Sequence, residues 1–198
     1  LQAVLENERH NLETAISQVT EKASEILAML AEAGKVWVVS DSTGRHLTGL
    51  FADQLRMIGV DAAALVADLG AVAHVAGEWG ADDLVFGIGA TGTGVDTAAV
   101  LRFAQERGAS TAAVSVSAVS PTAQAVDHLL VCPSSSPMAL PSIGCLATML
   151  VTLSQALFAQ KKGMEEQVDQ LQEAYSMLIT AWGAEAEKVD ARKLWKEF

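Results

Sequence analysis

Cysteine is scarce in this sequence, which contains two among its 198 residues. Cys132 and Cys145 have no metal-binding spacing, and two residues cannot form a disulfide framework. Both lie in apolar stretches, so the sequence predicts two buried thiols. Structural zinc sites and disulfide-stapled secreted scaffolds are therefore excluded as interpretations of the chain.

Basic residues are also few. The chain has 13 Lys and Arg against 24 Asp and Glu, which gives a formal net charge of −11 at pH 7. Direct binding of nucleic acid requires clusters of Lys and Arg that face the phosphates, so this segment is not expected to grip DNA or RNA itself. An acidic surface is common among cytoplasmic proteins, and no signal peptide opens the chain. We therefore expect a cytoplasmic protein.

A long uninterrupted apolar run is the third missing feature. A membrane-spanning helix needs about 20 consecutive apolar residues. The longest apolar run, 138–159, is interrupted by Pro141, Gly144 and several Ser and Thr, so no membrane span is expected. The first residue is Leu1 rather than Met, from which we expect a fragment or a processed chain that lacks an upstream segment.

Apolar residues are plentiful, and their spacing predicts an α/β fold. Hydrophobic residues make up 51% of the chain, enough for a sizeable core. Short apolar runs at 36–39, 62–66, 111–116 and 128–131, with another starting at Asp83, are typical of buried strands, and helical spacing separates them. This alternation predicts a three-layer αβα sandwich around a five-stranded parallel sheet of the doubly wound, flavodoxin-like type.

Helices extend the predicted sheet at both ends. Residues 1–33 have apolar positions at helical spacing and no Pro or Gly before Gly34, which predicts one long helix. The pattern is helical again over 138–160, and further helices are predicted at 164–182 and 187–198. We expect three parts: a linker or dimerisation helix at 1–34, the sheet domain at 35–162, and a helical C-terminal extension at 163–198.

Three turns at the carboxyl ends of the predicted strands are rich in hydroxyl groups. Ligands of open α/β sheets bind outside these strand ends. Small hydroxyls and helix N-termini can together form a cradle for a phosphate or a sugar phosphate. The alternative is that each Ser or Thr only caps a helix, but the coincidence of three turns favours a site. The turns contain Ser40, Ser42 and Thr43, then Thr91 and Thr93, and then Ser115, Ser117 and Ser120.

The central turn, 87–92, also matches the dinucleotide fingerprint G-x-G-x-x-G. This match follows the third predicted strand rather than the first. No Asp or Glu ends the neighbouring strand to hold a ribose, because that strand ends in Ser115-Val116-Ser117. Nicotinamide and flavin are therefore not expected, and no other cofactor or metal site is indicated.

Four segments carry a family pattern. Residues 4–13 form a polar helix, 83–97 a strand with a Gly- and Thr-rich turn, 114–121 end in Ser-Pro, and 127–133 run from Asp to Pro. In this order they resemble the SIS (sugar isomerase) domain, and more narrowly the effector-binding domain of MurR/RpiR-family transcription regulators. In those regulators the first segment would be the linker helix that follows the helix-turn-helix domain. The resemblance spans 4–160.

The chain departs from the family at three hydroxyl positions. The family's first-turn Ser falls on Gly44, the first Ser of its S-x-S-G-x-T turn on Gly89, and the final Thr of that turn on Gly94. Neighbouring threonines would have to supply the missing hydroxyls, beside one cation that can pair with an anionic ligand. The ligand-binding set that the resemblance implies is Ser42, Thr43, Arg45, Thr91, Thr93, Ser115, Ser117 and Ser120.

Residues for catalysis are few. An aldose–ketose isomerase needs a general base beside the sugar. The candidates near the turns are Asp41, His46 and Asp96, and no Asp, Glu or His occurs between Leu129 and Lys162, where the family's isomerases place catalytic groups. We therefore expect a non-catalytic, sugar-phosphate-sensing domain of a bacterial RpiR-type regulator whose DNA-binding domain is missing from this chain. The alternatives are a stand-alone sugar-phosphate isomerase or epimerase and a SIS domain kept only for oligomerisation.

Self-association is expected in either functional reading. The helix at 138–159 is more apolar than a solvent-facing helix, which predicts a homodimer or tetramer formed through it and through the N-terminal helix. In such a dimer the N-terminal helix would couple binding of a phosphorylated sugar or similar effector to the spacing of two DNA-binding domains. Trp182 and Trp195 either cover this interface or pack on the core of their own chain.

Overall fold

The structure of the chain is a computed structural model. It describes residues 1–19, 21–41, 43–139, 141–160, 169–170, 172–174 and 176–178. The chain divides into two compact units, Leu1–Leu157 and Phe158–Phe198. In the second unit the described residues from 169 onwards are helical. The rest of the predicted helices at 164–182 and 187–198, with Trp182 and Trp195, lies outside the described residues.

The first unit is built on a five-stranded parallel sheet. Its strand order is β2-β1-β3-β4-β5, and every neighbouring pair is parallel. The strands are almost continuously apolar because helices cover both faces of the sheet. The predicted three-layer sandwich is confirmed. The strands are β1 Lys35–Ser40, β2 Ala62–Val66, β3 Asp83–Gly89, β4 Ser110–Ser115 and β5 His128–Val131.

Helices pack on the two faces of the sheet. On one face Phe51 of α3 contacts Phe86 of β3, with ring centroids 5.0 Å apart, and the Ser154 hydroxyl of α6 donates to Gln54 of α3. On the other face Leu101 of α5 lies against Gly87 of β3. The helices are α1 Gln2–Gln18, α2 Glu21–Glu32, α3 Arg45–Met57, α4 Leu69–Val75, α5 Val95–Glu106 and α6 Gly144–Gln160, with a 3-10 turn at Ala123–Ala125.

The N-terminal stretch forms two helices rather than the single predicted one. Val19 leaves the helix with φ −76° and ψ 102°, and α2 starts at Glu21. A straight helix of this length cannot lie against a small sheet along its whole length. After the break, Ile26 and Leu30 of α2 are fully buried, whereas Ile16 of α1 is 71% exposed.

The last helix of the first unit begins later than its apolar run predicted. Helix α6 starts at Gly144 rather than near Met138. A proline inside a helix costs about 3 kcal/mol, so Pro141 stays outside it. The Ser142 hydroxyl accepts the N–H of Gly144, the first residue of α6, at 3.3 Å. Among the described residues, none of the helices combines the length and the hydropathy that crossing a bilayer requires.

Candidate functional site

The candidate site lies where the turns after β1 and β3 meet. Strand β2 pairs with one edge of β1 and β3 with the other, so the chain reverses its direction of travel across the sheet at the β1–β3 pair. Ligands of doubly wound sheets bind at this switch point, outside the carboxyl ends of the strands. The register pairs Ser40, the last residue of β1, with Ile88, so β3 ends one residue beyond β1.

The first turn is organised by Asp41. Its Oδ1 accepts the backbone N–H of Thr43 at 3.0 Å and that of Gly44 at 3.2 Å. This is an Asx-type turn, in which a carboxylate binds the N–H groups of the residues that follow it. Gly44 is the N-cap of α3 and supplies no side-chain cap. The carboxylate therefore lies at a helix N-terminus, where free anions are commonly bound.

The second turn reaches the first through a hydroxyl. Thr91 Oγ1 donates to Asp41 Oδ2 at 3.2 Å, and the hydroxyl of Thr93 lies 3.3 Å from that of Thr91. Thr91 is partly buried and Thr93 is exposed. Helix α5 begins directly after this turn, and its N-cap, Gly94, has no capping side chain. The structure thus brings two predicted site residues, Thr91 and Thr93, together with Asp41.

The third turn, after β4, uses its hydroxyls internally. Ser115 and Ser120 are 0% and 2% exposed, and their hydroxyl oxygens are 2.8 Å apart. Since the Ser120 hydroxyl donates to the Ser117 carbonyl at 3.0 Å, the proton between the two serines comes from Ser115. Ser120 also accepts the N–H of Ala123. Ser117 is partly buried, and its hydroxyl accepts the N–H of Val119.

Three glycines at this edge, Gly44, Gly89 and Gly94, each face a hydroxyl from elsewhere in the chain. A Cβ on Gly44 would overlap the hydroxyl of Ser40. A Cβ on Gly89 would lie 2.5 Å from the Ser115 hydroxyl, and one on Gly94 would lie 2.7 Å from the Thr122 hydroxyl. The three hydroxyl-bearing residues that fill these spaces, Ser40, Ser115 and Thr122, are all 0% exposed.

The buried hydroxyls are engaged within the fold. Ser40 donates to the carbonyl of Ile88 at 2.7 Å and so links β1 to β3. Thr122 donates to the carbonyl of Gly94 at 3.2 Å and links the third turn to the second. Hydroxyl groups therefore lie beside all three glycines, but they are buried and hold the turns together.

The other residues predicted near the site lie on its rim. Ser42 lies outside the described residues. Arg45 and His46 are exposed in the first turn of α3, where the Arg45 Nε donates to the His46 Nε2 at 3.2 Å. Asp96 is exposed in the first turn of α5. Thr97, one residue further, is 0% exposed, and its hydroxyl has no hydrogen-bond partner in the part of the chain that the structure describes.

Residues of α1 also reach the carboxyl edge of the sheet, which the sequence interpretation missed. The Glu8 carboxylate accepts the Ser142 hydroxyl just before α6. Its other oxygen, Oε1, is buried and has no partner among the described residues. Asn11, 1% exposed, donates to the Ser135 carbonyl at 2.9 Å and accepts the Ser135 hydroxyl at 2.5 Å. The three-residue spacing of Glu8 and Asn11 on α1 was the only sequence signal.

The two cysteines are buried, as predicted, and lie close to this contact. Cys132 follows β5, Cys145 is in the first turn of α6, and they are 0% and 1% exposed. A hydrogen bond between the thiols, together with burial, raises the pKa of Cys132. The same hydrogen bond lowers the pKa of Cys145. Among the described residues no group of His, Cys, Asp and Glu is arranged to hold a metal ion.

A separate cavity of about 600 Å³ lies between α4 and α5. It is lined mainly by alanine and other apolar side chains, and it reaches the switch-point region only at its Asp96 end. The hydroxyl-bearing residues of the three turns do not line it. Its lining residues are Ala67, Asp68, Val72, Ala73, Ala76, Gly77, Asp96, Ala99, Val100 and Phe103.

Solved structures with the same architecture include regulators and an enzyme. The sugar isomerase domain of the RpiR transcription factor from Sphaerobacter thermophilus has a TM-score of 0.80 at 24% identity, covering 87% of this chain and 96% of that one. Vibrio vulnificus NanR complexed with ManNAc-6P has a TM-score of 0.77 at 15% identity, covering 89% and 69%. Neisseria gonorrhoeae phosphoheptose isomerase GmhA has a TM-score of 0.61 at 16% identity, covering 77% and 92%.

These similarities establish the fold. The chain has the SIS-type three-layer sandwich that the sequence pattern predicted, the same fold as the sugar isomerase domain of RpiR and NanR regulators. No protein-family model matches the sequence, and no curated protein matches it. The fold is shared by regulators and by isomerases, so the function depends on the residues of the site.

Proposed function

We propose that the chain is the effector-binding domain of a cytoplasmic bacterial transcription regulator of RpiR type. Its ligand is a carbohydrate derivative, in the class that includes sugar phosphates, bound where the turns after β1 and β3 meet. The observation that carries this proposal is the hydrogen bond from Thr91 to Asp41, which joins the two turns at the switch point. Contact with DNA is assigned to a helix-turn-helix domain outside this chain, in keeping with the net charge of −11.

The proposed ligand-facing groups are those that keep solvent access. Thr43 and Thr93 are exposed, and Thr91 and Ser117 are partly buried. Arg45 adds an exposed cation at the rim. Ser115 and Ser120, the buried members of the predicted set, do not contact the ligand directly. Their hydrogen bonds fix the third turn, which faces the ligand. Ser42 completes the predicted set from its place in the sequence.

The structural neighbours support a carbohydrate ligand. The structure of NanR was solved as a complex with ManNAc-6P. The structure of the RpiR factor is that of its sugar isomerase domain, which has the same fold as this chain. A hydroxyl-rich switch point suits a polyhydroxylated compound because Ser and Thr can both donate and accept hydrogen bonds.

The candidate bases near the site favour a sensor over an enzyme. A general base needs a free lone pair within reach of the proton that it removes. Asp41 accepts hydrogen bonds from Thr43, Gly44 and Thr91, so both of its oxygens are used to join the two turns. His46 is engaged with Arg45 on the outer surface of α3.

One observation favours the second candidate function, a sugar-phosphate isomerase of the same fold. Glu8 places a carboxylate with a buried, unpartnered oxygen beside the segment that follows β5, in the described part of the chain. Adjacent strands are about 4.8 Å apart, and β5 is two strands from β3. Glu8 bonds Asn11 and Ser142 and, among the described residues, no residue of the β1 and β3 turns, which makes it a weaker candidate for a base at that site.

Self-association forms part of the proposal. Leu5 and Ile16 on α1 are 60% and 71% exposed, so α1 presents apolar surface to a second copy. Helix α6 buries most of its large apolar side chains within its own chain and contributes only its outer face, with Val151. Because α1 bonds Ser135 and Ser142, movement at the carboxyl edge of the sheet would pass directly to the proposed dimer contact.

A ligand screen tests the proposed function. ManNAc-6P, other sugar phosphates and their unphosphorylated parents are added to the protein, and the melting temperature and calorimetric affinity are measured. At least one compound is expected to bind, and Thr91→Val should weaken it at least tenfold, since the Asp41 bond and the hydroxyl are lost together. Thr152→Val, on the exposed side of α6, is the matched control and should bind normally.

Two outcomes would contradict the proposal. The absence of binding by any carbohydrate derivative would remove the effector role. Conversion of a bound aldose phosphate to a ketose phosphate, abolished in Glu8→Gln, would replace it with the isomerase.

A further inference from the structure

We infer that the switch-point site takes a carbohydrate derivative without a phosphate at the β1 turn, because Asp41 already occupies the place of the anion. This inference rests on the proposed function, namely that the site binds carbohydrate derivatives. It narrows the ligand to neutral or amino-substituted sugars.

Two backbone donors of the first turn, the N–H groups of Thr43 and Gly44, are already occupied. An anion at such a turn is held by N–H groups that precede and open a helix. In this chain the N–H groups of Thr43 and Gly44 both point to Asp41 Oδ1, at 3.0 and 3.2 Å. A phosphate oxygen would have to replace the carboxylate on both.

The second turn contributes its donor to the same carboxylate. Thr91 Oγ1 donates to Asp41 Oδ2 at 3.2 Å, and the Thr93 hydroxyl lies 3.3 Å from Thr91 Oγ1. Both oxygens of Asp41 are therefore held, one by each turn. The carboxylate bridges the two turns as a bound anion would.

The negative charge of Asp41 is not neutralised by a paired cation in the described part of the chain. Arg45 is exposed and its Nε is directed to His46, while Asp96 adds a second carboxylate at the start of α5. A phosphate dianion placed on these turns would lie beside a carboxylate of the same sign, and the two would repel each other.

Three glycine positions at this edge also offer no side-chain hydroxyl to a ligand. Gly44, Gly89 and Gly94 carry no hydroxyl, and the hydroxyls that fill their spaces are buried. Ser40 and Thr122 donate to backbone carbonyls rather than towards solvent. A phosphate would therefore find fewer side-chain donors at the same turns where Asp41 holds the N–H groups of Thr43 and Gly44.

The carboxylate offers a different kind of contact. An ionised carboxylate accepts about four hydrogen bonds, and Asp41 accepts three within the protein. Asp41 is only partly buried, so its remaining lone pair can accept a sugar hydroxyl or an ammonium group. Donor groups of this kind are abundant on unphosphorylated sugars and amino sugars and are absent from a phosphate dianion.

Calorimetry with matched pairs tests the inference. The probes are inorganic phosphate, ManNAc-6P with ManNAc, and glucosamine 6-phosphate with glucosamine. The wild-type protein should bind an unphosphorylated member at least tenfold more tightly than its phosphate ester. Asp41→Ser empties the anion position and should gain at least tenfold in affinity for inorganic phosphate and reverse the order within the pair. Asp41→Asn keeps the turn and the volume but removes the charge, so it should gain less than Asp41→Ser.

Asp68→Ser is the matched control. Asp68 follows β2 and accepts the N–H of Ala71 at 2.9 Å, so it has the same kind of role at the neighbouring strand. This variant should keep the wild-type preference. Thermal melts establish that each variant is folded, and the Asn variant decides the question if the Ser variant does not fold.

The binding results distinguish a failure of the phosphate-free ligand proposal from a failure of the proposed function. Tighter binding of the phosphorylated member by the wild-type protein would overturn the inference and leave the proposed function standing. An unchanged phosphate affinity in both Asp41 variants would also overturn it. Failure of every sugar, phosphorylated or not, to bind the wild-type protein would overturn the proposed function itself.

Discussion

Ser40 and Gly44 share one space at the end of β1. The Ser40 hydroxyl lies where a side chain on Gly44 would begin, and a Cβ on Gly44 would be 2.8 Å from the Ser40 Cβ. From this position Ser40 donates to the Ile88 carbonyl of β3. The pairs Gly89 with Ser115 and Gly94 with Thr122 repeat the relationship, so the edge is packed by glycines in the turns against buried hydroxyls.

Restoring a side chain at Gly44 should therefore destabilise the protein. Overpacking of a closed site costs about 1–3 kcal/mol, and Gly44→Ser is expected to lower the free energy of unfolding by that amount in urea denaturation. The double variant Gly44→Ser with Ser40→Gly removes the overlap. It should show a favourable coupling energy in a double-mutant cycle. Strict additivity of the two single changes would contradict the packing described.

Loss of the Asn11 side chain should weaken the attachment of α1 to the segment after β5. Asn11 is 1% exposed and makes two hydrogen bonds to Ser135. Leaving buried polar groups unpaired costs about 1–3 kcal/mol, so Asn11→Ala should lose this much on urea denaturation. Asn7→Ala, whose side chain bonds Ser135 at a more exposed position, is the control and should lose less. Equal losses would show that burial of Asn11 does not matter.

The two thiols should differ in reactivity. Both are buried, so the folded protein should react slowly with iodoacetamide. A lowered pKa gives more thiolate at a given pH, and the shared hydrogen bond lowers the pKa of Cys145 while raising that of Cys132. Mass spectrometry at low denaturant and pH 8 should therefore find Cys145 alkylated first. Cys132→Ala removes the bond and should slow the reaction of Cys145; the opposite order of labelling would refute this pairing.

The contact between Phe51 and Phe86 should contribute strongly to stability. Both side chains are fully buried and their ring centroids are 5.0 Å apart. Truncating a buried Phe costs about 3–5 kcal/mol, so Phe51→Ala should lower the melting temperature sharply. Phe103, 42% exposed on α5, is the control, and Phe103→Ala should cost much less. A similar decrease in melting temperature for both variants would contradict a central role of Phe51 in the core of this unit.

The fold was predictable because its signals are local. Continuous apolar runs marked the five strands, and glycines marked the ends of helices: Gly59 and Gly108 have φ values of 75° and 87°, which few other residues adopt. The break at Val19 and the late start of α6 at Gly144 were not predicted. The break at Val19 depends on which face of each helix finds a partner in the tertiary structure, which an apolar run does not encode. The late start of α6 follows from Pro141, a local signal that the apolar run obscured.

For the candidate site, the sequence could indicate only the edge of the sheet and not the contacts between residues. Hydroxyl-rich turns at strand ends indicated the edge of the sheet, but the role of Asp41 depends on Thr91, 50 residues away. The contact of Glu8 with Ser142 spans 134 residues. Spacing along the chain does not show such pairs. The Asp-x-Thr-Gly order after β1 was nevertheless a readable signal of an Asx turn, since Asp side chains commonly accept the N–H two residues on.

The most direct test of the account is to locate a bound ligand. Amide chemical shifts of the ¹⁵N-labelled protein are recorded with and without the sugar that raises the melting temperature most. The account predicts that the largest changes fall on Thr43, Gly44, Thr91 and Thr93, at the junction of the β1 and β3 turns. Changes confined to Val72, Ala99 and Phe103, which line the cavity between α4 and α5, would contradict it.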